Sequence, residues 1–305
     1  MAHFDDNYNS SMIDKILYNY FTRIPRESVI KVAKNNKVLY QLGKLFPEIQ
    51  RSDEWIEISK RRRAQVEELI KFNEIANEVG LKYVVVKTFR FPEYVPDDID
   101  ILVHPDSQHL IWDFISLLIE RYGYFFRSMG TSEMTIRKNT YGTYVDFDIH
   151  TNLAAGPYTY LDAQFVFENL TILRMRQENI PTVNQKIEFV ICAAHSIMKE
   201  FELTLADILT FLHLYSPMKE AEIFGTAKQA GLTNVARSFC RLSQHLIKNL
   251  SQGKTIILPY RIPIYFTLYA YIENISYRVK LHGLKPVKDL LAFPRARGIK
   301  KLIKL

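Results

Sequence analysis

Residues 82–103, KYVVVKTFRFPEYVPDDIDILV, carry the spacing Asp98-Ile99-Asp100, and residues 143–150, TYVDFDIH, carry Asp146, Asp148 and His150 at the same interval of two. In an extended strand, side chains two apart share a face, so Asp98 and Asp100 project together while Asp97 and Ile99 point the other way. The same alternation puts Asp146, Asp148 and His150 on one face and Val145, Phe147 and Ile149 on the other. Adjacent carboxylates repel unless a cation lies between them. If these two strands are neighbours, three carboxylates converge, enough hard oxygen ligands for one or two Mg²⁺ or Mn²⁺ ions that still leave positions for phosphates. Such a site suits phosphoryl transfer. Acids at a strand edge are also commonly just solvated, but a second acidic strand and apolar neighbours on both favour the metal site.

The elements that must position these residues follow from periodicity. Tyr83 to Val86 is a continuous apolar run, as expected of a strand buried on both faces, and Ile99 to Val103 is the next strand. A helix from Arg61 through Leu69 and Val79, capped by Gly80, precedes them. Pro105 and Asp106 open an amphipathic helix that closes near Gly123. Strands are expected at 124–128 and 132–137, then a turn over Asn139 to Gly142 leading into the acidic strand. Residues 1–60 contain helical pieces punctuated by Pro25 and Pro47. After Gly156-Pro157 the pattern becomes helical, with helices near 162–169, 184–200, 203–215, 219–230 and 233–250. The expected organisation is an N-terminal helical segment (1–60), a catalytic core (61–155), a helical domain (156–254) and a basic amphipathic tail (255–305).

Composition sets limits. The chain has 305 residues, 48% of them hydrophobic, and can bury a sizeable core. Cys192 and Cys240 lie far apart in apolar helical contexts, which excludes a disulfide framework or a cysteine zinc site. The N-terminal MAHFDDNYNSS lacks the features of a signal peptide, and residues 255–272 are interrupted by Pro259, Arg261 and Pro263, so a cytoplasmic protein is expected. Net charge is +7, yet residues 276–305 alone hold nine Lys or Arg against Asp289, while the preceding 275 residues hold 31 basic and 32 acidic side chains. The excess is all C-terminal. Arg278, Lys280, Lys285, Lys288, Arg295, Arg297, Lys300, Lys301 and Lys304 alternate with leucines and isoleucines, a mixture suited to RNA phosphates, to an anionic membrane surface, or to a solvated terminus docked on the helical half.

Val84 to Thr88, Asp98 to Val103 and Val145 to His150 together resemble the nucleotidyltransferases of the DNA polymerase β type, especially small stand-alone bacterial and archaeal members. The resemblance covers roughly residues 60–250. It implies an α+β fold, a mixed β-sheet flanked by helices and followed by an all-helical C-terminal half. It also implies transfer of a nucleoside monophosphate from an NTP to an acceptor hydroxyl of RNA, a protein or a small molecule. Asp98, Asp100 and Asp148 would be the catalytic metal ligands for Mg²⁺ or Mn²⁺, Asp148 being favoured over Asp146 because Asp148-Ile149-His150 matches the family's Asp-x-His ending. Lys87 and Thr88 would steady the nucleotide's phosphates, and Arg90 would offset charge on the departing pyrophosphate. His150 and His195 are expected to be structural, as is Asp207. One departure stands out: Thr88 occupies the position of the family's turn glycine, where a β-branched residue restricts the backbone. That departure keeps a second reading open, a non-catalytic protein of the same fold that docks on RNA or membrane. A metal-dependent phosphohydrolase is a third.

Overall fold

The computed structural model describes residues 6–91, 93–215 and 219–292. Three short helices, α1 (Asp6–Phe21), α2 (Val29–Asn35) and α3 (Leu39–Leu45), lead into the long α4 (Asp53–Val79). The Ser52 hydroxyl accepts the Trp55 N–H to start α4 eight residues earlier than the apolar pattern suggests, and Gly80 ends it at φ +73°. Strands β1 (Tyr83–Val86) and β2 (Ile99–Val103) follow, then α5 (Ile111–Tyr122), β3 (Phe125–Met129), β4 (Glu133–Thr140), β5 (Thr143–His150), β6 (Leu153–Ala155) and β7 (Tyr158–Leu161). After α6 (Ala163–Phe167) come β8 (Leu170–Met175) and β9 (Glu178–Val183). The rest is almost wholly helical: α7 (Gln185–Ala194) with a π-helical continuation (His195–Glu200), β10 (Glu202–Leu203), α8 (Leu205–Leu214), α9 (Glu220–Gln229), α10 (Thr233–Ser251), β11 (Tyr260–Arg261), α11 (Ile264–His282) and α12 (Lys285–Ala292).

The fold is α+β. Seven strands form one mixed sheet in the order β3-β4-β5-β2-β1-β9-β8, with β2–β5 and β1–β9 parallel and the other pairs antiparallel. The helical stretch expected from residue 156 onward therefore begins only after Val183, because the hairpin of β8 and β9 continues the sheet beyond β1. Its alternation is weak: Leu170 and Ile172 are exposed, so the apolar pattern of this edge hairpin does not mark one buried face. Residues 264–282, assigned to a tail, form α11, and Arg278 is buried in an ion pair with Asp162 (2.9 Å). Arg295, Arg297, Lys300, Lys301 and Lys304 lie outside the described residues. None of the described helices is long and apolar enough to cross a membrane.

Strand alternation divides the interior in two. Tyr83, Val85, Ile99, Ile101, Phe147 and Ile149 face α4 and α5, whereas Val84, Val86 and Leu102 join the larger core with the helical half. Phe72 of α4 anchors the first core, with ring centroids 4.9 Å from Phe114, 5.0 Å from Phe147 and 5.1 Å from Tyr83. Truncating such a side chain costs about 3–5 kcal/mol. Phe72→Ala should lower the unfolding free energy by that amount in urea titrations; a loss below about 1 kcal/mol would mean that the two sheet faces do not depend on this cluster.

Candidate metal centre

The second face of the sheet carries the acids. β2 and β5 pair in parallel with Asp100 opposite Asp148 and Leu102 opposite His150, so the two carboxylates stand side by side on neighbouring strands. Hairpin β4–β5 turns through Tyr141 and Gly142, both at positive φ, and places Thr135 opposite Asp148 and Glu133 opposite His150. Along this row of β5, Tyr144 is exposed, Asp146 and His150 are buried, and Asp148 between them is half-buried. One ligand atom each from Asp100, Asp148 and His150 lie within 4.8 Å of one another. Asp98, one residue before β2, is not part of that tight group. Asp146 is held by Arg127 and by Arg137 (2.5 Å), which removes it from the cluster despite sharing its face.

Asp100 is already engaged from two sides. The Lys87 Nζ lies 2.5 Å from Asp100 Oδ1, and His150 Nε2 lies 2.8 Å from the same oxygen. Burial pushes the Asp100 carboxyl up, but Lys87 and His150 outweigh it and hold the group far below the usual carboxylate range. For Lys87, burial favours the neutral amine and the Asp100 charge more than reverses this, leaving it firmly protonated. Asp98 behaves differently: burial, then the charges of Asp100 and Asp148, push its carboxyl up to about 7. Lys87 and Lys37 offset part of this rise. Two carboxylates in register, an imidazole and a third carboxyl disfavoured as an anion fit a divalent cation.

The turn after β1 departs from expectation. Lys87, not Thr88, is its left-handed residue, at φ +58°. The buried Glu188 of α7 accepts the Lys87 N–H at 3.2 Å and pins this conformation. Thr88 donates back to the Val86 carbonyl and lines a cleft of about 330 Å³ with Phe89, Phe91, Tyr94 and Leu173; none of the three expected metal ligands lines that cleft. Arg90 is buried, with Nη1 2.9 Å from Asp207 Oδ1 and Nε donating to the Lys87 carbonyl. It fastens the turn to α8 and is not brought to the acids. Asp207 is structural as expected, closing the N-terminal capping box of α8 with Thr204 as well. His195 is only partly buried, at the start of the π-helical turn; burial and then the charges of Lys87, Arg90 and Lys199 hold its imidazole well below the usual histidine range.

Four residues around the cluster escaped the sequence reading: Thr135, whose hydroxyl donates to Asp148 at 2.6 Å; Glu133, 3.6 Å from His150 Nδ1; Lys199, 3.6 Å from Glu133; and Glu188. The first two had a signal. A two-residue turn at Tyr141-Gly142 fixes the hairpin register and, with it, the partners of Asp148 and His150. Lys199 and Glu188 arrive from the helical half by tertiary packing, for which the local sequence has no marker.

No protein-family model matches the chain, and no curated protein does. Among solved structures, the crystal structure of an antigenic nucleotidyltransferase-like protein from Paracoccidioides brasiliensis aligns at 10% identity with a TM-score of 0.35, over 65% of this chain and 95% of that one. At that score the likeness carries no weight for the site.

Two predictions arise from the charges. Breaking a buried ion pair by removing one partner costs about 3–5 kcal/mol, whereas a solvated loop arginine costs within about 0.5 kcal/mol. Arg90→Ala should fall in the first range in denaturant titrations, and a value in the second would leave Arg90 without this fastening role. Asp98 titrates at about 7 in the folded chain and at about 3.9 when unfolded. An acid raised by folding costs nothing below its unfolded value and lowers stability progressively as pH rises towards its folded value. Asp98→Asn should therefore match wild type at pH below about 4 and exceed it in stability by about pH 8, both metal-free. A difference that stays constant across that window would contradict the burial of this carboxyl against its neighbours.

Proposed function

We propose that this chain is a metal-dependent nucleotidyltransferase that moves a nucleoside monophosphate from an NTP to an acceptor hydroxyl and releases pyrophosphate. The observation that supports this reading most is the register of Asp100 beside Asp148 on adjacent parallel strands, with the Asp98 carboxyl in the field of both. On this reading Asp98, Asp100 and Asp148 hold Mg²⁺ or Mn²⁺, and His150 steadies Asp100 from beneath. The metal, when bound, would neutralise phosphate charge and make the acceptor hydroxyl more acidic. The acceptor oxygen forms a bond to the α-phosphorus, the bond from that phosphorus to the bridging oxygen of the β-phosphate breaks, and pyrophosphate leaves with the electron pair. The hydroxyl proton passes to a carboxylate of the cluster, Asp148 in this proposal. Lys87 keeps Asp100 ionised before the nucleotide arrives and is the nearest cation to receive a phosphate oxygen if it leaves that carboxylate. The acceptor is proposed as a hydroxyl of RNA, a protein or a small molecule.

One observation favours the second reading, a non-catalytic binding protein: the buried Lys87 ammonium is ion-paired with Asp100, one of the expected metal ligands. The two readings separate in one experiment. Purified protein is incubated with each α-labelled NTP, Mg²⁺ or Mn²⁺, and total cellular RNA plus a small-molecule extract, beside an Asp100→Ala/Asp148→Ala control. Label should move onto an acceptor and fall at least about 100-fold in the control, since removing groups that act only on the transition state costs factors of that order. Metal binding that depends on the carboxylates, with no transfer from any NTP, would replace the transferase with the binding protein.

A further inference from the structure

We propose that the outward face of α11, with the adjoining face of α10, docks on an anionic lipid bilayer. α11 buries Thr267, Ala270, Tyr271, Asn274 and Arg278 and leaves a row of large apolar side chains outside. Towards the core it turns Thr267, Asn274 and Arg278, and each has partners: Thr267 donates to the Ile197 carbonyl, Asn274 to the Tyr160 and Gly231 carbonyls, and Arg278 to both oxygens of Asp162. Ala270 and Tyr271 pack in the core beside them, so the inward face of the helix is already occupied. Towards solvent it shows Ile264, Tyr265, Leu268, Tyr269 and Ile272, between 49% and 62% exposed. Their spacing places all five on one helix face. A contiguous apolar stripe of this kind on a folded surface marks a contact site.

Charge identifies the partner. Arg237 and Arg241, one turn apart on the solvent side of α10, line a cleft of about 210 Å³ with Tyr265, Phe266 and Tyr269. α10 contains no Asp or Glu, and neither arginine is paired with an acid among the described residues. Aliphatic residues and tyrosines bordered by cations that have no acid partner among the described residues match an interfacial helix, with aliphatic groups below the headgroups, rings among them and guanidinium groups on lipid phosphates. A second copy of the chain fits poorly, because a twofold contact on this stripe would bring the arginines of both copies together while the neighbouring acid, Glu273 of α11, already accepts the Asn234 N–H. Single-stranded nucleic acid fits less well, because only Tyr265 and Tyr269 offer rings on which a base can stack and Ile264, Leu268 and Ile272 would stay uncovered. Residues 293–305 add five cations and no acid, so the same charge continues along the chain. No described helix can span a bilayer, which makes the contact peripheral. This inference stands independently of the transferase reading.

The test is flotation of the full-length protein with vesicles of phosphatidylcholine alone and with vesicles that also contain phosphatidylserine. The protein should float with the second and not the first, and added salt should release it. Leu268→Glu and Ile272→Glu, at exposed positions, should each reduce binding at least tenfold with unchanged melting temperature. Arg237→Ala and Arg241→Ala should each reduce it about fivefold, the contribution of one basic residue at an anionic surface. Three outcomes would overturn the proposal: no flotation with phosphatidylserine vesicles; flotation insensitive to all four substitutions; or, in place of vesicle binding, either a dimer that Leu268→Glu dissociates or capture of a single-stranded oligoribonucleotide that Tyr265→Ala/Tyr269→Ala abolishes.

Discussion

The parallel pairing of β2 with β5 is the constraint from which the rest of the site follows. Strand side chains repeat every two residues, so the register that sets Asp100 beside Asp148 also sets Ile99 beside Phe147 and Ile101 beside Ile149. A slip of one residue would turn Asp148 towards Phe72 and Phe114 and expose the apolar row on the site face. The stacked and edge-on rings around Phe72 make that slip costly. The core on one face thereby positions the carboxylates on the other without touching them. Thr135, carried opposite Asp148 by the β4–β5 hairpin, then orients the half-buried carboxylate with its hydroxyl.

Concentrating acids at a buried edge requires compensation, and the fold distributes it unequally. Asp100 receives both Lys87 and His150; Asp146 receives two arginines; Asp207 receives Arg90, Ser196 and the capping hydroxyl of Thr204. Among the described residues, no cation is ion-paired with Asp98 or Asp148 as Lys87 is with Asp100. That inequality is chemically meaningful, because a cluster built only for stability would neutralise its members evenly, whereas a cluster with residual negative field retains affinity for an added cation. The left-handed Lys87 belongs to the same arrangement. A lysine in that conformation is unfavourable by itself, and the Glu188 carboxylate on its N–H, together with Arg90 on its carbonyl, maintains it.

The acidic spacing, the buried strands and the helix ending at Gly80 were legible in the sequence because each is a local pattern: a period of two, an unbroken apolar run, a glycine after the last apolar turn. The β8–β9 hairpin was not, since its outer residues are exposed and its pairing with β1 is set by contacts about 100 residues apart in the chain, as in Thr182 to Val85. Arg90 shows the same limit for a site residue. Its position two residues beyond Thr88 suggested a phosphate contact, while its actual partner is 117 positions away and carries no local signal. His150 combined both roles: it is hydrogen-bonded in the interior, as expected of a strand-ending histidine, and that bond is to a member of the acidic cluster.

The π-helical turn at His195–Glu200 lies between α11 and the acidic cluster. Widening a helix by one residue leaves carbonyls without their usual partners, and here the Ile197 and Met198 carbonyls accept hydroxyls from Thr267 and Tyr271 of α11. On its other side the same turn sends Lys199 to Glu133, which lies against His150. α11 is therefore attached through a single turn to the wall of the acidic cluster, not through a flexible linker. The Thr267 and Tyr271 bonds are buried, whereas the Lys199–Glu133 pair is partly exposed and contributes little, so the turn ties α11 firmly to the core and only loosely to the acidic wall.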